Sequence, residues 1–209
     1  MNYQQLLRAP HLLIAGTTGS GKSVLLNEII KSFLADPTSP KSKLILIDPK
    51  RVELSRYKKS EYTAYYTADE RKTVAVLRRV IKLIERRYKW LARRGQVKLN
   101  GCHVYVIIDE LADLIISDNG REIKRLLQKI LQIGRAANVH IIAATQAPNR
   151  RIIPAEIVLN FTHRVALRCL TAIESRQIIN TAGAETLPQY GKAYLLTPEG
   201  LTLEDVQIT

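Results

Sequence analysis

His11-Leu12-Leu13-Ile14-Ala15-Gly16-Thr17-Thr18-Gly19-Ser20-Gly21-Lys22-Ser23 is a short apolar run that breaks into G-x-x-x-x-G-K-S and continues as a helical pattern. That context, strand before and helix after, is what a phosphate-binding loop requires. The glycines let the backbone curl so that its N–H groups point inward at phosphate oxygens. The loop then opens into a helix N-terminus, where unpaired amides and the helix dipole favour an anion. The stretch Gly16, Thr17, Thr18, Gly19, Ser20, Gly21, Lys22, Ser23 and Val24 is therefore expected to cradle the triphosphate of a nucleotide. Lys22 is placed to reach the β- and γ-phosphates, and the Ser23 hydroxyl to coordinate Mg²⁺. The loop alone identifies a nucleoside triphosphate and does not separate a motor from a kinase or a switch GTPase.

The remainder of the chain narrows the class. Its 209 residues suffice for one sizeable α/β domain, expected to occupy 1–209, and 46% hydrophobic residues mark it as globular. No apolar run approaches the length of a bilayer span, and residues 1–5 lack the pattern of a signal peptide. Cys102 and Cys169 are the only cysteines, which reads as core packing in a reducing compartment, so a cytoplasmic location is expected. The four histidines have no zinc-type spacing. Lys and Arg number 32 against 19 acidic residues, a net charge of +13 that suits a polyanionic partner.

After the loop, Val24, Leu25, Leu26, Ile29, Ile30, Phe33 and Leu34 form a helical apolar stripe, which the segment Asp36-Pro37-Thr38-Ser39-Pro40 stops. Strands are expected at 44–47, 62–66, 104–108, 139–144 and 164–170. Thr67 with Glu70 reads as a capping box opening a helix that runs to about Arg94. One face of that helix carries Arg78, Arg79, Lys82, Arg86, Lys89 and Arg93, which reads as a solvated face. Asn119 with Glu122, and Thr171 with Glu174, read as two further helix starts, with Gly183 stopping the latter. Residues 192–209 read as a hairpin turning at Pro198-Glu199-Gly200. Strands alternating with helices imply a mostly parallel sheet covered on both faces, with ligands at the carboxyl ends of its strands.

Two strand ends carry chemistry. Val104-Tyr105-Val106-Ile107-Ile108 runs into Asp109-Glu110, four apolar residues and then an acid. This Walker B pattern puts Asp109 beside the Mg²⁺ on Ser23, while Glu110 can orient and deprotonate the attacking water. His140-Ile141-Ile142-Ala143-Ala144 ends in Thr145-Gln146, and Gln146 can sense the γ-phosphate or the water. Phosphoryl transfer also calls for a positive charge, often from a neighbouring subunit. Arg135, Arg164, Arg168 and Arg176 are the candidates, and spacing selects none of them.

Several segments, in order and covering residues 11 to about 195, resemble the motor domain of the FtsK/SpoIIIE family of double-stranded DNA translocases. They are the opening stretch, Ile47-Asp48-Pro49-Lys50-Arg51-Val52-Glu53-Leu54, Glu85-Arg86-Arg87-Tyr88, Ile107-Ile108-Asp109-Glu110-Leu111-Ala112-Asp113-Leu114, Gln132-Ile133-Gly134-Arg135-Ala136-Ala137, Ala144-Thr145-Gln146-Ala147-Pro148 and Glu174-Ser175-Arg176-Gln177-Ile178-Ile179. The resemblance implies a RecA-like P-loop ATPase fold, a hexameric ring, ATP with Mg²⁺ between subunits and duplex DNA in the pore. It makes Lys22, Ser23, Asp109, Glu110 and Gln146 the catalytic set. Arg176 becomes the trans-acting finger, with Arg164 second. Asp48 and Lys50 match a family motif near the nucleotide. Arg135 and the preceding Lys124, Arg125 and Lys129 fall where pore-facing, DNA-contacting elements are expected.

Against the family pattern, the expectation from this stretch of sequence is a motor without the preceding subdomain, a membrane anchor or a C-terminal winged helix. Residues 147–151 also replace the usual Arg-Pro. A compact translocase of a mobile element, or an excised motor core working with a membrane-anchored or DNA-reading partner, is the expectation. An ATPase moving protein in a secretion system, or one transferring DNA in conjugation, is the alternative.

Overall fold

A computed structural model describes residues 1–36, 41–146 and 148–206. Its centre is one eight-stranded sheet in the order β3-β2-β4-β5-β1-β6-β7-β8. The strands are β1 (His11–Ala15), β2 (Lys43–Ile47), β3 (Thr63–Thr67), β4 (Val104–Ile108), β5 (Val139–Thr145), β6 (His163–Ala166), β7 (Lys192–Thr197) and β8 (Gly200–Asp205). Strands β1 to β6 are parallel, and β7 and β8 add an antiparallel hairpin. Strands β1, β4 and β5 are buried along their whole length. This is why they read as nearly continuous apolar runs rather than as alternating patterns.

Helices cover both faces. The helices are α1 (Tyr3–Leu7), α2 (Lys22–Leu34), α3 (Glu70–Arg93), α4 (Leu111–Ile116), α5 (Gly120–Ile133), α6 (Ala155–Val158) and α7 (Ala172–Ile179). Leu25, Ile29 and Phe33 of α2 pack with Leu12 and Ile14 of β1 on one face. On the other, Leu77, Ile81 and Ile84 of α3 meet Ile123, Leu127 and Ile130 of α5 over Val106 and Ile141. Among the described residues no helix is long and apolar enough to cross a membrane.

Several expectations are corrected in detail. Helix α3 is capped by Asp69, whose carboxylate accepts from the Lys72 N–H at 2.8 Å, and not by Thr67. The Thr67 hydroxyl instead accepts from the Asp69 N–H. Asn119 does precede α5, but its side chain makes no cap, and the Glu122 carboxylate turns to Arg78. Thr171 caps α7 as expected, yet the helix ends at Asn180 in the left-handed conformation, and Gly183 lies in the next turn. Strand β6 stops at Ala166, short of the expected Leu170, because the chain turns across the phosphate loop there. Cys169 is buried, whereas Cys102 is exposed and so does not pack in the core. The expected loop at 37–40, residue 147 and the hairpin end at 207–209 lie outside the described residues.

Candidate functional site

Parallel pairing sets the carboxyl ends of β1, β2, β4 and β5 on one edge. Ala15 pairs with Thr145, Ile108 with Ala143 and Ile47 with Ile108. The residues that follow these ends, Gly16, Asp48, Asp109 and Gln146, therefore converge.

The phosphate loop is built by close approach. The Thr17 N–H donates to the Arg168 carbonyl at 2.9 Å and the Gly16 N–H to the Thr145 carbonyl at 3.3 Å. A Cβ on Gly16 would sit 2.5 Å from Ser20 Oγ and 2.8 Å from Leu167 Cβ, so no larger residue fits. Gly19 and Gly21 have φ of 75° and 93°, the left-handed region that glycine enters without strain. Gly21 is the N-cap of α2 and no side chain caps the helix, which leaves its first amides for an anion. Lys22 is buried at the mouth of the loop. Burial lowers its pKa, while the nearby Glu110 and Asp109 carboxylates oppose the shift.

The acids lie opposite. Glu110 is 2% exposed. Its Oε1 accepts from Thr145 Oγ1 at 2.8 Å, and the Gln146 N–H donates to both its oxygens at 3.1 Å. The side chain of Gln146 reaches the phosphate loop, accepting from Thr18 Oγ1 at 2.8 Å. Thr18, Gln146 and Glu110 thus link loop, β5 and β4 in one hydrogen-bonded chain. Asp109 is 8% exposed, and its carboxyl is pushed up to about 6 by burial, then by Asp48, Glu53 and Glu110, with Lys22 pulling the other way. Carboxylates thus outnumber cations around Asp109, although among the described residues no three His, Cys, Asp or Glu side chains are grouped closely enough to hold a metal ion by themselves.

The sequence does not disclose the role of the segment after β2. Asp48 is fully buried and accepts from the Leu54 N–H at 3.1 Å and the Val52 N–H at 3.4 Å, with Tyr66 Oη at 3.5 Å. It folds residues 48–54 back on themselves, with Arg51 at φ 60°. That fold sets Lys50 Nζ 3.8 Å from Glu110 and 3.6 Å from Asp113. Helix α4, which has no anticipated counterpart, starts directly after Glu110. Its buried Leu111, Ala112 and Leu114 were the available signal.

The arginines separate. Arg164 is 8% exposed, with Nη1 donating to the Ile178 carbonyl at 2.8 Å and to Asn180 at 3.3 Å. It pins the end of α7 within the chain, with its Nε buried and without a hydrogen-bond partner among the described residues. Arg176 is exposed on α7. Arg135 is exposed in the turn before β5, at the opposite end of the sheet from the phosphate loop. Lys124, Arg125 and Lys129 pair with Glu156, Glu122 and Glu85 at 3.5, 3.9 and 3.0 Å.

Known proteins resemble this arrangement. The family model described as FtsK/SpoIIIE family matches residues 2–105. The DNA translocase FtsK of Chlorobaculum tepidum is 37% identical over 202 residues, covering 87% of this chain and 25% of that protein. The DNA translocase FtsK of Helicobacter pylori strain J99 is 40% identical over 210 residues, 93% of this chain and 24% of that protein. The chain thus spans about a quarter of the length of these relatives. In fold it resembles the pCW3 conjugation coupling protein TcpA with ATPγS, at a TM-score of 0.83 and 21% identity over 96% of this chain and 60% of that one. It also resembles the type VII secretion ATPase EccC of Thermomonospora curvata, at a TM-score of 0.73 and 23% identity over 95% and 25% of the two chains. With the phosphate loop, the paired acids and the Thr145-Gln146 strand end in one cluster, and with these relatives aligned over most of its length, the chain belongs to the FtsK/SpoIIIE family.

Proposed function

We propose that this chain is an ATP-hydrolysing motor segment that moves along duplex DNA. The observation that carries the reading is Glu110, buried and held by Thr145 and Gln146 beside Asp109 and Lys22. A carboxylate locked in that position has one orientation in which to take a proton from water. Lys22 and the amides at the start of α2 bind the β- and γ-phosphates, and Gln146 couples the water side of the site to the loop through Thr18. Ser23 and Asp109 would hold Mg²⁺, which neutralises charge on the phosphate oxygens. Lys50, 3.8 Å from Glu110, joins the set as a cation beside that carboxylate.

A trans-acting arginine must be exposed so that a neighbouring subunit can receive it. Arg135 meets that requirement, since it is exposed and pairs with no acid among the described residues. Arg176, which the family resemblance put first, is exposed and meets it as well, while the burial of Arg164 speaks against that residue. The net charge of +13 favours DNA over protein as the moved polymer.

The test is steady-state ATP hydrolysis with and without duplex DNA, single-stranded DNA and RNA. The reading expects selective stimulation by duplex and loss of turnover in Lys22→Ala. Equal rates with and without DNA would contradict it.

A further inference from the structure

Helix α3 carries nine Lys and Arg residues against two Glu over its 24 positions. At about 100° per residue, Lys72, Arg79, Lys82, Arg86, Lys89 and Arg93 fall within an arc of roughly 100°. Every one of them is exposed. None makes an ion pair among the described residues, because the local acids are engaged elsewhere: Glu122 with Arg78 and Arg125, Glu85 with Lys129. A solvated helix face of mixed charge would interleave acids at i and i+4, and this one does not. The stripe runs for roughly 32 Å at the helical rise of 1.5 Å per residue, about one turn of B-form duplex. At its N-terminal end Lys72 joins Arg51 and Lys58 around a concavity of about 450 Å³.

We infer that the outer face of α3 is a second nucleic-acid contact, a track of unpaired cations that lies against the phosphate backbone of a duplex. The inference rests on the reading of the chain as a duplex-DNA motor, and it adds a contact away from the nucleotide. Binding here is to phosphates, so it is independent of base sequence and sensitive to salt. An anionic membrane is a poorer match. A membrane-lying helix must offer its apolar face to lipid, whereas Leu77, Ile81 and Ile84 of α3 are buried against α5 and the sheet. The exposed Trp90 already carries the Arg94 guanidinium 4.6 Å from its ring centre.

The experiment compares wild type with a fourfold variant, Arg79→Gln, Lys82→Gln, Arg86→Gln and Lys89→Gln. Duplex affinity is measured from 50 to 200 mM salt, with fluorescent ATP-analogue binding alongside. Losing three to four phosphate contacts flattens the log–log salt slope by about 0.9 each, so wild type should lose about 40- to 150-fold more affinity than the variant over that range. Analogue binding should be unchanged. In wild type, amine-reactive footprinting should show Lys82 and Lys89 protected by duplex, a readout that stands even if the variant does not fold. An unchanged slope, unprotected lysines, or loss of binding only to phosphatidylglycerol vesicles overturns the inference. Should duplex still stimulate the ATPase of wild type in that event, the motor reading survives alone; a wild type that neither binds duplex nor responds to it overturns both.

Discussion

Asp109→Asn should make the protein more stable when metal and nucleotide are absent and the pH is above about 6. In the folded chain Asp109 titrates at about 6 instead of 3.8, chiefly because it is buried and secondly because Asp48, Glu53 and Glu110 face it. An acid whose folded pKa is raised holds its proton more tightly folded than unfolded. Its ionised form therefore costs stability, fully above pH 6, less as the pH falls towards 4, and not at all below. At about 1.4 kcal/mol per pH unit, the gap corresponds to about 3 kcal/mol. The variant regains less than this, since Lys22 loses part of its counter-charge. A gain of about 1.5–3 kcal/mol translates into roughly 3–10 °C in Tm for a chain of this size. The assay is thermal unfolding of both proteins in EDTA at pH 7.5 and pH 4.5. The difference between them isolates Asp109, because all other titrations are shared. With Mg²⁺ and ATP added the order should reverse, since ligand binding stabilises the folded state of wild type. A variant no more stable than wild type at pH 7.5, or a difference that ignores pH, would refute the charge-excess account of this site.

Gly16→Ala should destabilise by about 1–3 kcal/mol and abolish nucleotide binding, because the added Cβ meets Ser20 and Leu167; wild-type binding in the variant would contradict the packing argument. Thr145→Val removes the hydroxyl that orients Glu110 and should lower kcat about 10-fold with KM nearly constant, while Thr145→Ser keeps activity; a KM effect alone would point away from positioning. Acidification should destabilise the fold, since burial lowers His11 to about 3 and His140 to about 4. His11 Nδ1 must stay unprotonated to accept the Ile141 N–H. These depressed values contribute stability that is present above 6.5 and lost below it, about 2 kcal/mol each by pH 5, of which Asp109 returns about 1. Denaturant unfolding that is flat from pH 7 to pH 5 would count against this.

The phosphate loop, Asp109, Glu110 and the central strands were legible because their signals are local. Glycine spacing, an apolar run ending in acids, and buried parallel strands all act within a few residues. What the sequence concealed depends on partners far along the chain. Thr145 reads as the last residue of a strand, and only the β4–β5 register brings its hydroxyl to Glu110. Lys50 reaches Glu110 only after Asp48 has collected the amides of residues 52 and 54. Arg164 looked as available as Arg176 until the packing of α7 buried it. The capping box at Thr67 misled because Asp69, two residues later, offers a better-placed carboxylate to the Lys72 amide.

The most direct test of the proposed chemistry is Glu110→Gln, assayed in parallel for ATP affinity and for turnover with duplex DNA. A general base contributes about 10²–10⁴-fold, so turnover should fall at least 100-fold while ATP binds with nearly wild-type affinity. Turnover within 10-fold of wild type, at equal ATP affinity, would contradict the assignment of water activation to that carboxylate.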